Sequence, residues 1–137
     1  MYSNSKLKIQ NAKKSRCENF SFLTSGLILK LVMNELILEE ILMRIQHIEK
    51  RPLMYMMSDS YESVSALISG YFLGLDTTLK MDLNKQFADW ILIKSRKPAS
   101  TWAECILLLL AENDKARARE ILFYELKEFL RDLTDEK

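Results

Sequence analysis

Lys50-Arg51-Pro52-Leu53-Met54-Tyr55-Met56-Met57 lies between two strongly periodic helical patterns and holds one of the two prolines of the 137-residue chain. Pro52 has no amide hydrogen, and its ring disfavours helical backbone at Arg51. The helix arriving through Gln46, His47 and Ile48 is therefore expected to end near Lys50. Leu53, Met54, Met56 and Met57 come next, with Tyr55 among them. So much apolar surface predicts an extended linker whose side chains plug into a core, the tyrosine hydroxyl finding a partner at the edge. On this reading Arg51, Pro52, Met54 and Tyr55 are structural residues.

Upstream, Asn34 can cap a helix to about Glu49, with Ile37, Ile41, Ile45 and Ile48 as its stripe and Leu38 and Leu42 beside it. Glu35, Glu39 and Glu40 crowd its first turns, where the helix dipole favours negative charge; an acidic binding surface would look the same. Downstream, Ser58, Asp59 and Ser60 are competent caps, worth about 1 kcal/mol where one is used. The next helix carries Val64, Leu67, Ile68, Tyr71, Phe72 and Leu75. Ala66, Gly70 and Gly74 line its other side, and this small-residue strip is expected to serve close packing inside the bundle.

Asp76 to Leu83 reads as a polar connection, and Asn84 as the cap of a third helix bearing Phe87, Trp90 and Ile91. Lys94, Arg96 and Lys97 close that helix, as the dipole prefers, and Pro98 stops it. Thr101 and Glu104 have capping-box spacing. The helix they open, through Trp102, Ile106, Leu109 and Leu110, is apolar nearly all round and is expected to be the most buried element. Asn113 or Asp114 restarts the chain as a last helix with Leu122, Leu126, Phe129 and Leu133 in register. No alternating β-branched run occurs. The fold expected is all-α: a single compact bundle of about five helices.

One core suits this length, and the composition, 48% hydrophobic with 28% charged, is that of a globular domain. The net charge of +1 is unevenly spread. Residues 1–32 carry six Lys or Arg and one Glu; residues 33–137 carry fourteen basic and eighteen acidic groups, a net −4. Residues 1–32 are read as a basic extension, disordered over the first nineteen, or else as partly prolonging the first helix backwards through Leu27, Ile28, Leu31 and Val32. The helical domain is placed at 33–137. Phe20 to Val32 is short for a membrane span and is interrupted by Lys30. A basic start before an apolar run has the form of a secretory signal, but no small-x-small site precedes Met33. Cys17 and Cys105 form neither a disulfide framework nor a metal pattern, which fits a reducing cytoplasm.

Catalytic chemistry is not expected. His47 has no metal ligands at useful spacing, and the adjacent Glu39 and Glu40 point to different sides of a helix. No phosphate-binding glycine loop and no nucleophile elbow is present, so no catalytic residue, metal or cofactor is assigned.

The run Glu49 to Met56 resembles, locally, the R-P-G-M-Y-I-G segment of type II topoisomerase ATPase domains. The helix after it lacks the Mg-binding Asn and catalytic Glu of that family, and Leu53 and Met57 stand where it has glycines. A longer resemblance is to small bacterial proteins with a K-R-P-x-M-Y segment. It runs through Pro52, Met54 and Tyr55, then Leu67, Gly70 and Tyr71, then Phe87 and Trp90. Trp102 and Ile106 come next, and Ala118, Phe123, Leu126 and Phe129 close it. It covers residues 33–137 in order and spacing, departing from the family at Leu53 and Met57. Proteins of this type are similar to the immunity proteins of polymorphic-toxin and contact-dependent growth inhibition systems, which bind and block a cognate toxin domain, often a nuclease.

The resemblance implies a cytoplasmic inhibitor that occludes a toxin's active site, and the acidic domain suits a basic partner. A helical adaptor that binds another protein, or itself, is the competing expectation. Nucleic-acid binding is expected at most weakly, through residues 1–32. Two acidic sets are candidate contacts: Glu35, Glu39 and Glu40, and Asp76, Asp82 and Asp89. The second is preferred, because Asp76 and Asp82 flank a connection with no packing duty visible in the sequence. Gly70, Tyr71, Trp90 and Trp102 are read as structural.

Overall fold

A computed structural model describes residue 29 and residues 32–135. The reading of the first nineteen residues, and of Leu27, Ile28 and Leu31, lies outside them. The chain divides into two compact units, Met1–Ile37 and Leu38–Lys137. Within the first, the described residues are helical and Leu29, Val32, Met33 and Leu36 are exposed. Among the described residues there are five helices and no strand, as the periodicity predicts.

Helical backbone runs over residues 32–50 (α1), so Asn34 lies inside the helix and is not its cap. Leu38, Ile41, Ile45 and Ile48 are buried, a clean i, i+3, i+7, i+10 stripe. Each contributes about 1.5–3 kcal/mol by leaving water. Pro52 ends the helix: the Arg51 N–H still donates to the His47 carbonyl at 2.9 Å, but Arg51 itself leaves helical geometry at φ −137°, ψ 63°. The segment after Arg51 is not an extended linker. Pro52–Met54 forms a single 3₁₀ turn, closed by the Tyr55 N–H on the Pro52 carbonyl at 3.0 Å. Pro52 opens that turn, where its missing N–H would have had no partner anyway.

Ser60 caps α2 (Tyr61–Leu79), its hydroxyl accepting from the Ser63 N–H at 3.2 Å. Val64, Ile68 and Phe72 are buried on one side. Ala66, Gly70 and Gly74 are exposed, and a Cβ built on either glycine would meet nothing within 4 Å. The strip therefore faces solvent rather than a neighbouring backbone, which corrects the close-packing expectation. The polar connection is also shorter than its composition suggests. Helix α2 continues to Leu79 and stops at Lys80, which turns left-handed at φ 55°.

Helix α3 (Leu83–Ser95) is capped from a distance. Asp76, a full turn before the end of α2, accepts the Leu83 N–H at 2.6 Å and the Asn84 N–H at 3.2 Å through its two carboxylate oxygens. Asn84 is thus not the cap. Its side chain instead ties three helices, donating to the Ser69 carbonyl at 3.3 Å and accepting from the Trp102 indole at 3.3 Å. Asp76→Ala should cost about 1–2 kcal/mol, as for a lost cap with charged hydrogen bonds. Urea melts compared with those of Asp82→Ala, which removes no side-chain cap bond, would show it; equal midpoints would refute the assignment.

Thr101 caps α4 (Trp102–Cys105) by accepting from the Glu104 N–H at 3.1 Å. The helix then widens into a π-helical turn over Ile106–Leu110, closed by the Ala111 N–H on the Ile106 carbonyl at 2.9 Å. The extra residue per turn swings part of the leucine run off the core, and Leu108 is about half exposed. This element is therefore not the central one. That place belongs to α5 (Lys115–Asp135), entered through Glu112 and Asn113 in left-handed backbone and capped by Asp114, which accepts from the Arg117 N–H at 3.1 Å. Ala118, Leu122, Phe123, Leu126, Phe129 and Leu130 are buried along it.

Phe87 is the hub of the core. Its ring lies 5.1 Å from that of Trp102, 5.2 Å from Phe129 and 6.2 Å from Phe72, the last edge-on at 89°. Tyr61 adds a polar tie, its hydroxyl donating to the Ala103 carbonyl at 2.5 Å, and burial raises the pKa of that phenol.

Candidate functional site

The turn after α1 carries apolar side chains that do not reach the core. Leu53 is 68% exposed, Met54 70% and Met57 fully, with Tyr55 at the exposed margin. The expectation that they plug into the bundle is overturned. The 3₁₀ turn is tight enough to carry the chain from α1 to Ser60 across the surface, so its side chains project outward. Tyr55 lies beside the Arg44 guanidinium at the edge, and their interaction raises the guanidinium pKa. Pro52 and Met56 are half-buried and anchor the turn. A cavity of about 300 Å³ opens beside it, lined by His47, Lys50, Arg51, Met54 and Tyr55. This elbow is apolar at its crest and basic at its foot. Exposed contiguous apolar surface rimmed by polar groups marks interaction sites, and Met, Tyr and Arg are enriched in interface cores.

The candidate acidic residues are spread widely. Glu35 is half-buried on the first helix; Glu39 and Glu40 are exposed, and Glu40 pairs with Arg44 at 3.6 Å. Asp76 is occupied in capping α3, so the connection it borders does have a structural duty. Asp82 is exposed at the start of α3 and accepts no capping bond. Asp89, also exposed, sits two turns further along the same helix. Of the residues expected to be structural, Trp102 is buried, Tyr71 and Trp90 are half-buried, and Gly70 is exposed.

Two further acids stand out only in three dimensions. Glu125 is a buried carboxylate, only 7% exposed. It accepts the Trp90 indole N–H at 2.8 Å and is bridged by the Lys94 ammonium at 3.0 Å. Asp132 stands seven residues later on the same face of α5. The available signal was a charged residue inside the stripe of Leu122 and Phe129, where a carboxylate needs a partner to be tolerated. Asp132, Phe129 and Leu133 face Asp89, Trp90, Ile93 and Gln86 across a groove of about 430 Å³ between α3 and α5.

Among the described residues no cluster of three or more His, Cys, Asp or Glu could hold a metal, and no helix is long and apolar enough to cross a membrane. Cys105 is a buried free thiol. No family model, no curated protein and no solved structure matches the chain.

Proposed function

We propose that this protein is an immunity protein, which binds a cognate bacterial toxin domain, most naturally a nuclease, and neutralises it in the cytoplasm by covering its active site. One observation carries the reading: Leu53, Met54 and Met57 crest an exposed elbow whose apolar surface serves no packing purpose among the described residues. Burying such side chains against a partner yields about 25 cal/mol per Å². Lys50 and Arg51 at its foot supply the polar rim typical of an interface. The ordered resemblance from Pro52 to Phe129 selects a toxin domain as that partner.

The test is co-expression with the toxin domain encoded beside this gene, followed by affinity capture. Growth should be restored and the two proteins should co-purify. Full toxicity without co-purification would overturn the proposal. The elbow also has the chemistry of a self-association surface, so the protein alone should be sized in parallel. A dimer dispersed by Met57→Lys, with no toxin captured, would favour the adaptor reading instead.

A further inference from the structure

The groove between α3 and α5 differs in chemistry from the elbow. Its rims are the carboxylates of Asp89 and Asp132, which take part in no ion pair or hydrogen bond among the described residues. Six other acids in the described residues, Asp59, Glu40, Glu49, Glu62, Glu125 and Glu128, each have a basic partner. Between the two carboxylates the floor is apolar. Trp90 is half-buried there, and Ile93 is 76% exposed.

The floor is held rigidly. Trp90 is fixed on one side by its 2.8 Å hydrogen bond to buried Glu125, and on another by Phe129, whose ring centroid is 5.8 Å away. Lys94 lies 5.0 Å from the Trp90 ring and neutralises Glu125, so the uncompensated charge of the groove is that of Asp89 and Asp132. A preorganised apolar slot between two unpaired carboxylates has a definite complement. The stem of an arginine or lysine covers Ile93 and Trp90 while its cationic head reaches the carboxylates. Arginine is favoured, because its planar fork can bond carboxylates in pairs.

We propose that the α3/α5 groove is a receptor for an arginine-bearing amphipathic segment of the partner protein, seated with its apolar side on Trp90 and Ile93 and its cation between Asp89 and Asp132. This deepens the reading of the protein as a toxin inhibitor by giving the basic partner a second contact, opposite in charge to the basic foot of the elbow. Charge complementarity of this kind speeds encounter and selects partners.

The probe is an amphipathic helical peptide with arginine and leucine on one face, titrated at low salt into the full chain, with a glutamate-for-arginine peptide as control. Binding is followed by calorimetry and by the emission of the half-exposed Trp90. The arginine peptide should bind and the glutamate peptide should not. Asp89→Asn with Asp132→Asn should weaken binding at least about tenfold and flatten its salt dependence. Ile93→Ser should weaken it while leaving the salt dependence in place. Both variants alter exposed side chains, and matched thermal melts show whether the fold is intact. No binding of the arginine peptide, or equal binding by the doubly neutralised variant, would overturn the proposal. A peptide that binds as described, alongside a toxin that is not neutralised in the co-expression experiment, keeps the groove and removes the immunity role. The opposite pair of results does the reverse.

Discussion

Phe87→Ala should remove about 3–5 kcal/mol of unfolding free energy, the usual cost of truncating a buried aromatic. Single domains hold only about 5–15 kcal/mol in all, so the variant should be marginal at room temperature. The effect is large because Phe87 is where three other elements meet. Phe72 of α2, Trp102 of α4 and Phe129 of α5 all lie within 6.2 Å of its ring, and aromatic pairs of this kind add about 0.5–1.5 kcal/mol beyond area burial. The cavity left behind would be lined by side chains of four helices, and three of these, α2, α3 and α4, are tied together elsewhere by Asp76, Asn84 and Tyr61 and so cannot collapse freely. Urea titration followed by far-ultraviolet circular dichroism measures the loss. A change below about 1 kcal/mol, the size expected of a surface substitution, would show that the helices do not close on this ring.

Leu53→Ser combined with Met57→Lys should do the opposite, sparing the fold and destroying binding. Both side chains are exposed, so stability should stay within about 0.5 kcal/mol of the parent. If the elbow is the central contact with a toxin domain, losing two apolar anchors should cost at least about 2 kcal/mol of binding free energy, roughly thirtyfold in Kd. Competition binding with the captured toxin domain reads this directly, and thermal melts supply the control. Unchanged affinity would remove the elbow from the interface. Lost stability would mean that its side chains have a packing role which their exposure does not suggest.

At the elbow, local sequence rules stop being sufficient. Apolar stripes at helical spacing, a stop at Pro52, a cap among Ser58, Asp59 and Ser60, one at Thr101 and one at Asn113 or Asp114 are all visible in the chain alone. Each is decided within three or four residues, and the fold class comes from them. The same local rules misplace the central element. Leu107 to Leu110 is apolar on every side, but a π-helical turn swings Leu108 outward. The seven-residue face that reads through Glu125 belongs to a longer helix with more of the core on it.

The remaining differences concern partners far away in sequence. Asp76 looks like a free loop acid because its two hydrogen-bond donors are seven and eight residues on, across a chain reversal. Glu125 looks like a misplaced charge because Trp90 and Lys94 lie on another helix. Ala66, Gly70 and Gly74 look like a packing strip because periodicity assigns a residue to a face without saying whether another helix covers it. By itself, then, the sequence determined the fold class, roughly where the helices lie, and which stripe most of them turn inward, since those depend on backbone sterics and short-range periodicity. The tertiary structure alone decided that the Met-rich turn faces water and that two unpaired carboxylates frame a tryptophan-floored groove. Exposure and charge pairing depend on which elements meet in space, and helical periodicity within one segment carries no record of that.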